Sequence, residues 1–335
     1  MRLEDFWYSL PRHLIAQTPL PNRQESRLLV YDRASNGIQH AGFSDLQKFL
    51  LPGDMLVINT TRVMPARIFA RKESGGKAEI LLLKKLDNTR WEILVGGKNI
   101  GMGKELIITN GLTGKITAEM DGARREVEFN EPLEPILPEI GHTPLPPYIH
   151  KKLDDPERYQ TIYAKTSGSA AAPTAGLHFT AELMRDLVEF GVEFAEITLH
   201  VGLDTFAPVT EEKIEDHKIH SEWCEIKPEN AARINAAIKS NRRIIAVGTT
   251  SARTLETAAQ GGSVSAFRGQ TQLFITPGYR FRIVNAMITN FHLPGSTLLM
   301  MVSAFAGREN ILACYQQAIA RQYRFYSFGD AMLIL

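Results

Sequence analysis

The chain is poor in cysteine, in long apolar runs and in excess charge of either sign. Two cysteines, Cys224 and Cys314, occur in 335 residues. They lie far apart and in no metal-ligand spacing, which excludes a disulfide scaffold and a cysteine zinc site. Such usage fits a reducing compartment, so a cytoplasmic protein is expected. The longest apolar run, STLLMMVSAFAG (296–307), falls short of the roughly 18 residues that a membrane span requires, and no membrane association is expected. The opening MRLEDFWYSLPRHLIAQTPL has early acidic residues and two prolines, unlike a secretion leader. Lys+Arg total 38 against Asp+Glu 37, so no global field attracts a polyanion, and nucleic acid would have to be met by a local patch.

Several catalytic signatures are also missing. There is no GxGxxG followed by an acidic residue, which argues against a nicotinamide or flavin Rossmann site. There is no GxSxG, and so no hydrolase nucleophile elbow. GGKNIGMGK (96–104) lacks the phosphate-loop order and lies among hairpin signals rather than before a helix. Cys224 sits between acidic residues in SEWCEIK, which disfavour a thiolate, so it reads as structural.

What is present divides the chain by periodicity. Residues 66–130 hold six short alternating runs, ARIFAR, AEILLLKKL, RWEILVGG, KELIITN, GKITAEM and REVEFN, separated by Gly, Asn and Asp turn signals. That pattern predicts a small antiparallel barrel. On either side, strands alternate with helices. Strands are expected at GDMLVINTTRV (53–63), VEFAEITLHVG (192–202), RRIIAVGTT (242–250) and AMLIL (331–335). TAELMRDLVEFG (180–191) reads as a helix capped by Thr180 and ended by Gly191, and further helices are expected at 229–241, 251–259, 296–307 and 309–322. Thr249 or Thr250 is positioned to cap the helix at 251–259. The expected architecture is a barrel-like α/β catalytic domain, residues 1–62 plus 148–335, interrupted by an inserted β-barrel at 63–147.

Polar loops fall where strands should end: NTTR (59–62), APTAGLHF (172–179), HVGLDTF (200–206), GTTSAR (248–253) and TNFHLPGST (289–297). Ligands of α/β sheets bind outside such strand ends. Three of these loops carry a histidine between apolar neighbours: His178, His200 and His292. With Asp204 or Asp330 added they could ligate a metal, which makes a metal-dependent hydrolase the alternative reading. No HxH or HExxH pairing supports it, and a histidine so flanked is more often a packed, hydrogen-bonded residue. HKIH (217–220) follows an acidic run and reads as surface. IHKKLDDPERYQ (149–160) and ARQYRFYSFGD (320–330) mix cations with Tyr and Phe, a combination that suits unpaired RNA bases and their phosphates but is equally a solvated face.

Ten motifs in order carry a more specific signal. DFWYSLPRHLIAQTPLPNRQESRLLV (5–30), GDMLVINTTRVMPARI (53–68), PLPPYI (144–149), ERYQTIYA (157–164), GSAAAPTAGLHFT (168–180), TLHVGLDTFAPV (198–209), HKIHSEW (217–223), AVGTTSARTLE (246–256), ITNFHLPGSTLLMMVSAFAGRE (288–309) and YRFYSFGDAMLI (323–334) resemble the S-adenosylmethionine:tRNA ribosyltransferase-isomerases of queuosine biosynthesis. The resemblance implies transfer and isomerisation of the ribosyl group of S-adenosylmethionine onto 7-aminomethyl-7-deazaguanine at the wobble position of tRNAs with a GUN anticodon. The products would be epoxyqueuosine-tRNA, adenine and methionine. S-adenosylmethionine is then a consumed co-substrate, no cofactor or metal is expected, and a monomer is anticipated. Departures from the family pattern are Leu203-Asp204 before Thr205-Phe206, where a small residue and Gly are usual, Ala170 for Val, Ile219 for Met, and fewer cations in the barrel stretch GGKNIGMGKELI.

That chemistry needs a base to take a proton from a carbon on the sulfonium, and an acid or hydrogen bonds for departing adenine. His178, His200 and His292 are the candidates, with apolar neighbours expected to keep the imidazoles unprotonated near neutrality. Asp204 and Asp330 are candidate partners for the sulfonium or the methionine ammonium, and Arg62 or Arg253 for the methionine carboxylate. Asn59, Thr61, Thr174, Gly176, Thr249 and Asn290 complete the expected substrate-binding set.

Overall fold

The computed structural model describes residues 1–335 except Asn110, Leu203, Asp204, Phe206, Ala207 and Pro208. Contacts sort the chain into two compact units: residues 1–62, 146–166 and 172–335, and residues 63–145 with 167–171. The first unit begins with β1 (Arg27–Asp32), which turns back antiparallel into β2 (Gly37–Gly42), and then β3 (Met55–Asn59). All five residues of β3 are buried, as a strand covered on both faces requires.

The second unit follows directly. Strands β4 (Arg67–Lys72), β5 (Lys77–Lys85), β6 (Arg90–Gly96), β7 (Glu105–Thr109), β8 (Leu112–Glu119) and β9 (Arg124–Phe129) correspond to the six alternating runs of the sequence. They pair in the order β4-β5-β6-β9-β8-β7, and β4–β7 pairing closes the barrel. Alternation sends Ile68, Ile80, Leu82, Trp91, Ile93, Leu106, Ile116 and Val127 inward to one core. A side chain at Gly114 would crowd that core, because its Cβ would lie 2.9 Å from Val127 and 3.0 Å from Phe129. The proline-rich stretch after the barrel holds one short helix, Leu137–Ile140, that periodicity did not disclose.

Back in the first unit come β10 (Glu193–Leu199), β11 (Glu222–Ile226), β12 (Ile244–Val247), β13 (Phe267–Thr271), β14 (Ala286–Asn290) and β15 (Ala331–Ile334). The sheet order is β13-β11-β10-β3-β12-β14-β15-β1-β2. Strands β10, β3, β12 and β14 run parallel, as the alternation of strands and helices implies. β15 and β1 are parallel to each other but antiparallel to β14, and β11 is antiparallel to β10. The sheet is therefore mixed. Helices α1 (Ala181–Phe190), α2 (Pro228–Lys239), α3 (Thr249–Thr257), α4 (Thr297–Ala306) and α5 (Arg308–Ala320) belong to this unit. Leu183 and Leu187 of α1 join a core with Phe43, Leu56, Val247 and Ile288.

The helix ends follow local chemistry, with one correction. Thr180 Oγ1 accepts the Leu183 amide at 3.2 Å, and Gly191 closes α1 at φ 103°, where a Cβ would be strained. Ser296 caps α4 in the same way. α3 differs: neither Thr249 nor Thr250 caps it, because the cap position is Gly248 at φ 90° and no side chain bonds the first turn. Removing the α1 cap with Thr180→Ala should lower stability by about 1 kcal/mol, read as a shifted urea midpoint with unchanged m-value.

Candidate functional site

Strand direction gathers part of the candidate set. The carboxyl ends of β10, β3, β12 and β14 share one sheet edge with the amino ends of β11, β15 and β1. At that edge lies a cleft of about 1010 Å³, bordered by residues 172–175, the Gly248–Thr250 turn, Thr289–Leu293 and the amino end of α4. Its lining residues, from Tyr148 to Ser327, all belong to the first unit. Of the expected site residues, Thr174, Thr249, Arg253, Asn290 and His292 line it.

His178 reaches the cleft only through Asn290. Asn290 Nδ2 lies 3.2 Å from the Tyr326 carbonyl, an obligate acceptor, which fixes the amide's orientation. The same nitrogen stands 3.3 Å from His178 Nε2, which must therefore be the unprotonated ring nitrogen. His178 Nδ1 then donates to Ser26 Oγ at 2.8 Å, and Ser26 passes its own proton to the Arg23 carbonyl at 3.2 Å. At the other end, Thr174 donates to Asn290 Oδ1 at 2.9 Å. Every group has a partner of the correct sense. A second proton on His178 would face the Asn290 amino group, and burial, with Arg23 and Arg324 nearby, pulls its pKa down to about 3.

His292 lines the cleft directly. Its Nε2 is 2.7 Å from Thr289 Oγ1, its amide bonds the Tyr315 hydroxyl at 2.9 Å, and its carbonyl accepts from Tyr8. Burial alone draws its pKa down to about 3, so the ring is neutral at physiological pH. His200 stands apart from the cleft lining, bonded to Thr61 Oγ1 at 2.8 Å and stacked on Trp223 at 5.0 Å, with its pKa drawn down by burial to about 4. The three loop histidines thus have separate partners, and among the described residues no three His, Cys, Asp or Glu side chains gather as a metal site. The metal-dependent hydrolase reading has no support in this geometry.

The most concentrated charge in the cleft is one that sequence reading passed over. Glu222, at the start of β11, is 2.6 Å from Arg253 of α3, and both are buried. Glu222 Oε1 also accepts from the Gly202 amide at 2.9 Å and Thr205 Oγ1 at 3.0 Å, and meets His220 Nε2 at 3.2 Å. Burial raises the carboxyl pKa, but the His220 hydrogen bond and the Arg253 charge outweigh it and leave it lowered. His220, read from the sequence as surface, lines the cleft. Its acidic neighbours in sequence gave that misleading impression. His220 stands just before β11, outside the strand, so no periodicity in the sequence marks it.

Other expected residues serve the scaffold. Asn59 accepts the Thr61 and Leu199 amides at 3.1 and 3.0 Å and donates to Thr250 Oγ1 at 3.2 Å, tying β3 to β10 and α3. Arg62 pairs with Glu157 outside the cleft lining. A Cβ on Gly176 would meet the Tyr163 hydroxyl at 2.0 Å, so its smallness serves packing. Asp330, 1% exposed, accepts the Arg27 and Arg324 amides at 2.9 and 2.8 Å and pairs with the Arg27 side chain. It anchors β1 beside β15 and does not line the cleft. Asp204 lies outside the described residues.

Two outcomes follow. His178 and His292 fold with pKa values far below the ordinary histidine value of 6.5, so the unfolded chain binds more protons below that pH. Each should remove about 1.4 kcal/mol of stability per pH unit from about pH 6 downward, and nothing above pH 7. Urea titrations at pH 7, 6 and 5 measure this, and a His292→Gln variant should show a shallower loss. Glu222→Gln should destabilise by about 3 kcal/mol, because Arg253 stays buried without its counter-charge, whereas Glu222→Gln with Arg253→Met should recover part of the loss in the same assay.

Comparison with known proteins identifies the family. The queuosine biosynthesis protein family matches residues 3–334. The S-adenosylmethionine:tRNA ribosyltransferase-isomerase of Carboxydothermus hydrogenoformans is 56% identical over 338 residues, covering 100% of both chains. Its counterpart in Symbiobacterium thermophilum is 55% identical over 341 residues, again covering 100% of each. The crystal structure of S-adenosylmethionine tRNA ribosyltransferase from Thermotoga maritima aligns over 99% of this chain and 100% of its own, at 37% identity and a TM-score of 0.59. With the whole length matched and the cleft assembled from motifs that carry the resemblance, the chain belongs to the queuosine biosynthesis family of S-adenosylmethionine:tRNA ribosyltransferase-isomerases.

Proposed function

We propose that the cleft binds S-adenosylmethionine beside the wobble nucleotide of a GUN-anticodon tRNA and joins the rearranged ribosyl group to the aminomethyl nitrogen of 7-deazaguanine there. The bond from the ribose to adenine and the bond from sulfur to the ribose C5′ break, adenine leaving with its electron pair and taking up a proton. The amine lone pair forms the carbon–nitrogen bond to tRNA, and the pair from the deprotonated C–H bond forms a new bond within the rearranged ribosyl group. Of the two protons lost by that carbon and the amine, one goes to adenine and one to solvent. Sulfur keeps the electron pair as methionine leaves. S-adenosylmethionine is a co-substrate in this reaction, which takes place in the cytoplasm with no resident cofactor, and one chain suffices, since a single unit supplies every described lining residue of the cleft.

The observation that carries this reading is the cleft's division of labour. His292 presents a neutral imidazole at the lining and is the proton acceptor for the carbon on the sulfonium. Thr174 and Asn290 have spent their protons on the His178 relay and offer oxygen acceptors, which suit the ribose hydroxyls or an ammonium. The uncapped amino end of α3 at Thr249 and Thr250 offers backbone N–H groups and a positive dipole end to the methionine carboxylate. This replaces Arg62 and Arg253, both already paired with carboxylates. Tyr148, Phe274 and Tyr326 supply aromatic faces for a sulfonium cation. Asp204 keeps its proposed part as sulfonium partner on its place in the chain beside Thr205, which lines the cleft. His178 and His200 are positioning residues.

The test incubates the protein with S-adenosylmethionine and tRNA bearing the aminomethyl-deazaguanine base, and follows free adenine and the mass gain of the tRNA. Both should appear together. His292→Ala should reduce kcat by about a hundredfold or more, while His200→Ala changes it by only a few-fold. Equal, mild losses in the His178, His200 and His292 variants would contradict the assignment, and absence of adenine with saturating substrates would overturn the function.

A further inference from the structure

A second, smaller pocket, about half open to solvent, lies against the far side of the His178 relay. It is lined by Leu20, Arg23, Arg158, Leu177, His178 and Ser327, among others, and Ser327 also lines the large cleft. One side chain's thickness therefore separates the two spaces, since His178 belongs to the small cavity and Asn290, 3.3 Å from it, to the cleft.

The cations here are held in an unusual way. Arg23 donates to the carbonyls of Gln160 at 2.7 Å, Glu157 at 3.0 Å and Leu177 at 3.3 Å. Arg158 donates to the carbonyls of Pro21 at 2.9 Å and Leu20, and Arg324 to that of Thr18. Among the described residues none of the three has an ion pair with a carboxylate. The nearby acids act on them only from a distance: Asp155 and Glu157 favour the charge on Arg23 and Asp330 that on Arg324, while the ion pairs of Glu157 and Asp330 go to Arg62 and Arg27. Carbonyls fix a guanidinium without neutralising it, so the full charges remain. Arg158 Nε and Arg324 Nη1 are moreover buried with no hydrogen-bond partner. Arg158 is close enough to Arg23 to help lower its pKa, and Arg23 and Arg324 both act on His178, although burial is the larger cause in each case.

Arg158, with a buried Nε that has no partner and only carbonyls on its other nitrogens, and Arg23 beside it leave donors and charge at the rim of an open pocket. We propose that this cavity, framed by Arg23 and Arg158 with Arg324 behind, binds a backbone phosphate of the tRNA next to the wobble nucleotide whose base enters the cleft. The inference rests on the tRNA-modifying function proposed above. A base and its flanking phosphate are one nucleotide apart, which matches two spaces separated by a single side chain. Phosphate contacts position a nucleic acid without reading its sequence, so the pocket would set register while the cleft chooses the base.

The pocket is tested with Arg158→Gln and Arg158→Lys, measuring affinity for an anticodon stem–loop across a salt series together with KM for S-adenosylmethionine. Arg158→Gln should weaken RNA binding about tenfold, flatten the slope of log affinity against log salt by about 0.7 to 0.9, and leave KM for S-adenosylmethionine unchanged. Arg158→Lys should restore most of the slope. Should Arg158→Gln not fold, the wild-type protein is given stem–loops with neutral methylphosphonate linkages beside the wobble nucleotide, where the same loss of slope is expected. A folded Arg158→Gln protein with wild-type RNA affinity and slope overturns the proposal, as does a rise in KM for S-adenosylmethionine alone, which would assign the pocket to the methionine carboxylate. If the unaltered protein neither binds the stem–loop nor releases adenine, the function itself fails, and that outcome is distinct because it appears without any substitution.

Discussion

The direction of one buried hydrogen-bond chain constrains what this site can do. From Thr174 through Asn290, His178 and Ser26 to the Arg23 carbonyl, each group has one permitted role once the Tyr326 carbonyl fixes the Asn290 amide. Reversing any member would leave two donors or two acceptors facing each other away from water, a cost of about 1–3 kcal/mol for each group left unpaired. The consequence at the cleft is that Thr174 and Asn290 present oxygen, not hydrogen. Under the proposed function, the preference of these oxygens for the donors of a sugar or an ammonium is set by His178 and Ser26 behind them.

Charge is handled on the same principle of containment. Glu222 and Arg253 neutralise each other inside the cleft wall, and Asp330 and Arg27 do so at the foot of β1. Each pair spares the interior an isolated ion. The histidines reach the same end by remaining neutral, which burial enforces at His178 and His292. Against that background the cluster of Arg23, Arg158 and Arg324 stands out, because its guanidinium groups are held by carbonyls and, among the described residues, none forms an ion pair with a carboxylate. A chain with balanced totals of 38 basic and 37 acidic residues can still build a local anion site by pairing its other charges.

Much of the fold was legible because local rules and global structure agree. The two-residue alternation from Arg67 to Phe129 anticipated all six barrel strands, and Thr180 and Gly191 bracketed α1 as side-chain capping and a left-handed turn require. The ten ordered motifs named the family. What stayed hidden depends on contacts far apart in sequence. His178 lies in a loop rich in small residues that could equally have faced substrate, and only its bonds to Ser26 and Asn290, 152 and 112 residues away, show that it acts through another residue. Asp330 and Arg62 had suitable chemistry in suitable motifs, yet Arg27 and Glu157 already engage them. His220 and Glu222 were obscured by the acidic stretch before them. Strand direction, which sequence periodicity does not encode, brings them to the cleft edge.

The relay can be observed directly by nitrogen-15 NMR of the histidine rings. His178 should carry its proton on Nδ1, with Nε2 showing the shift of an unprotonated, hydrogen-bond-accepting nitrogen, and neither signal should titrate between about pH 7.5 and pH 5.5. A proton on Nε2, or a titration with a midpoint near the ordinary histidine value, would contradict it.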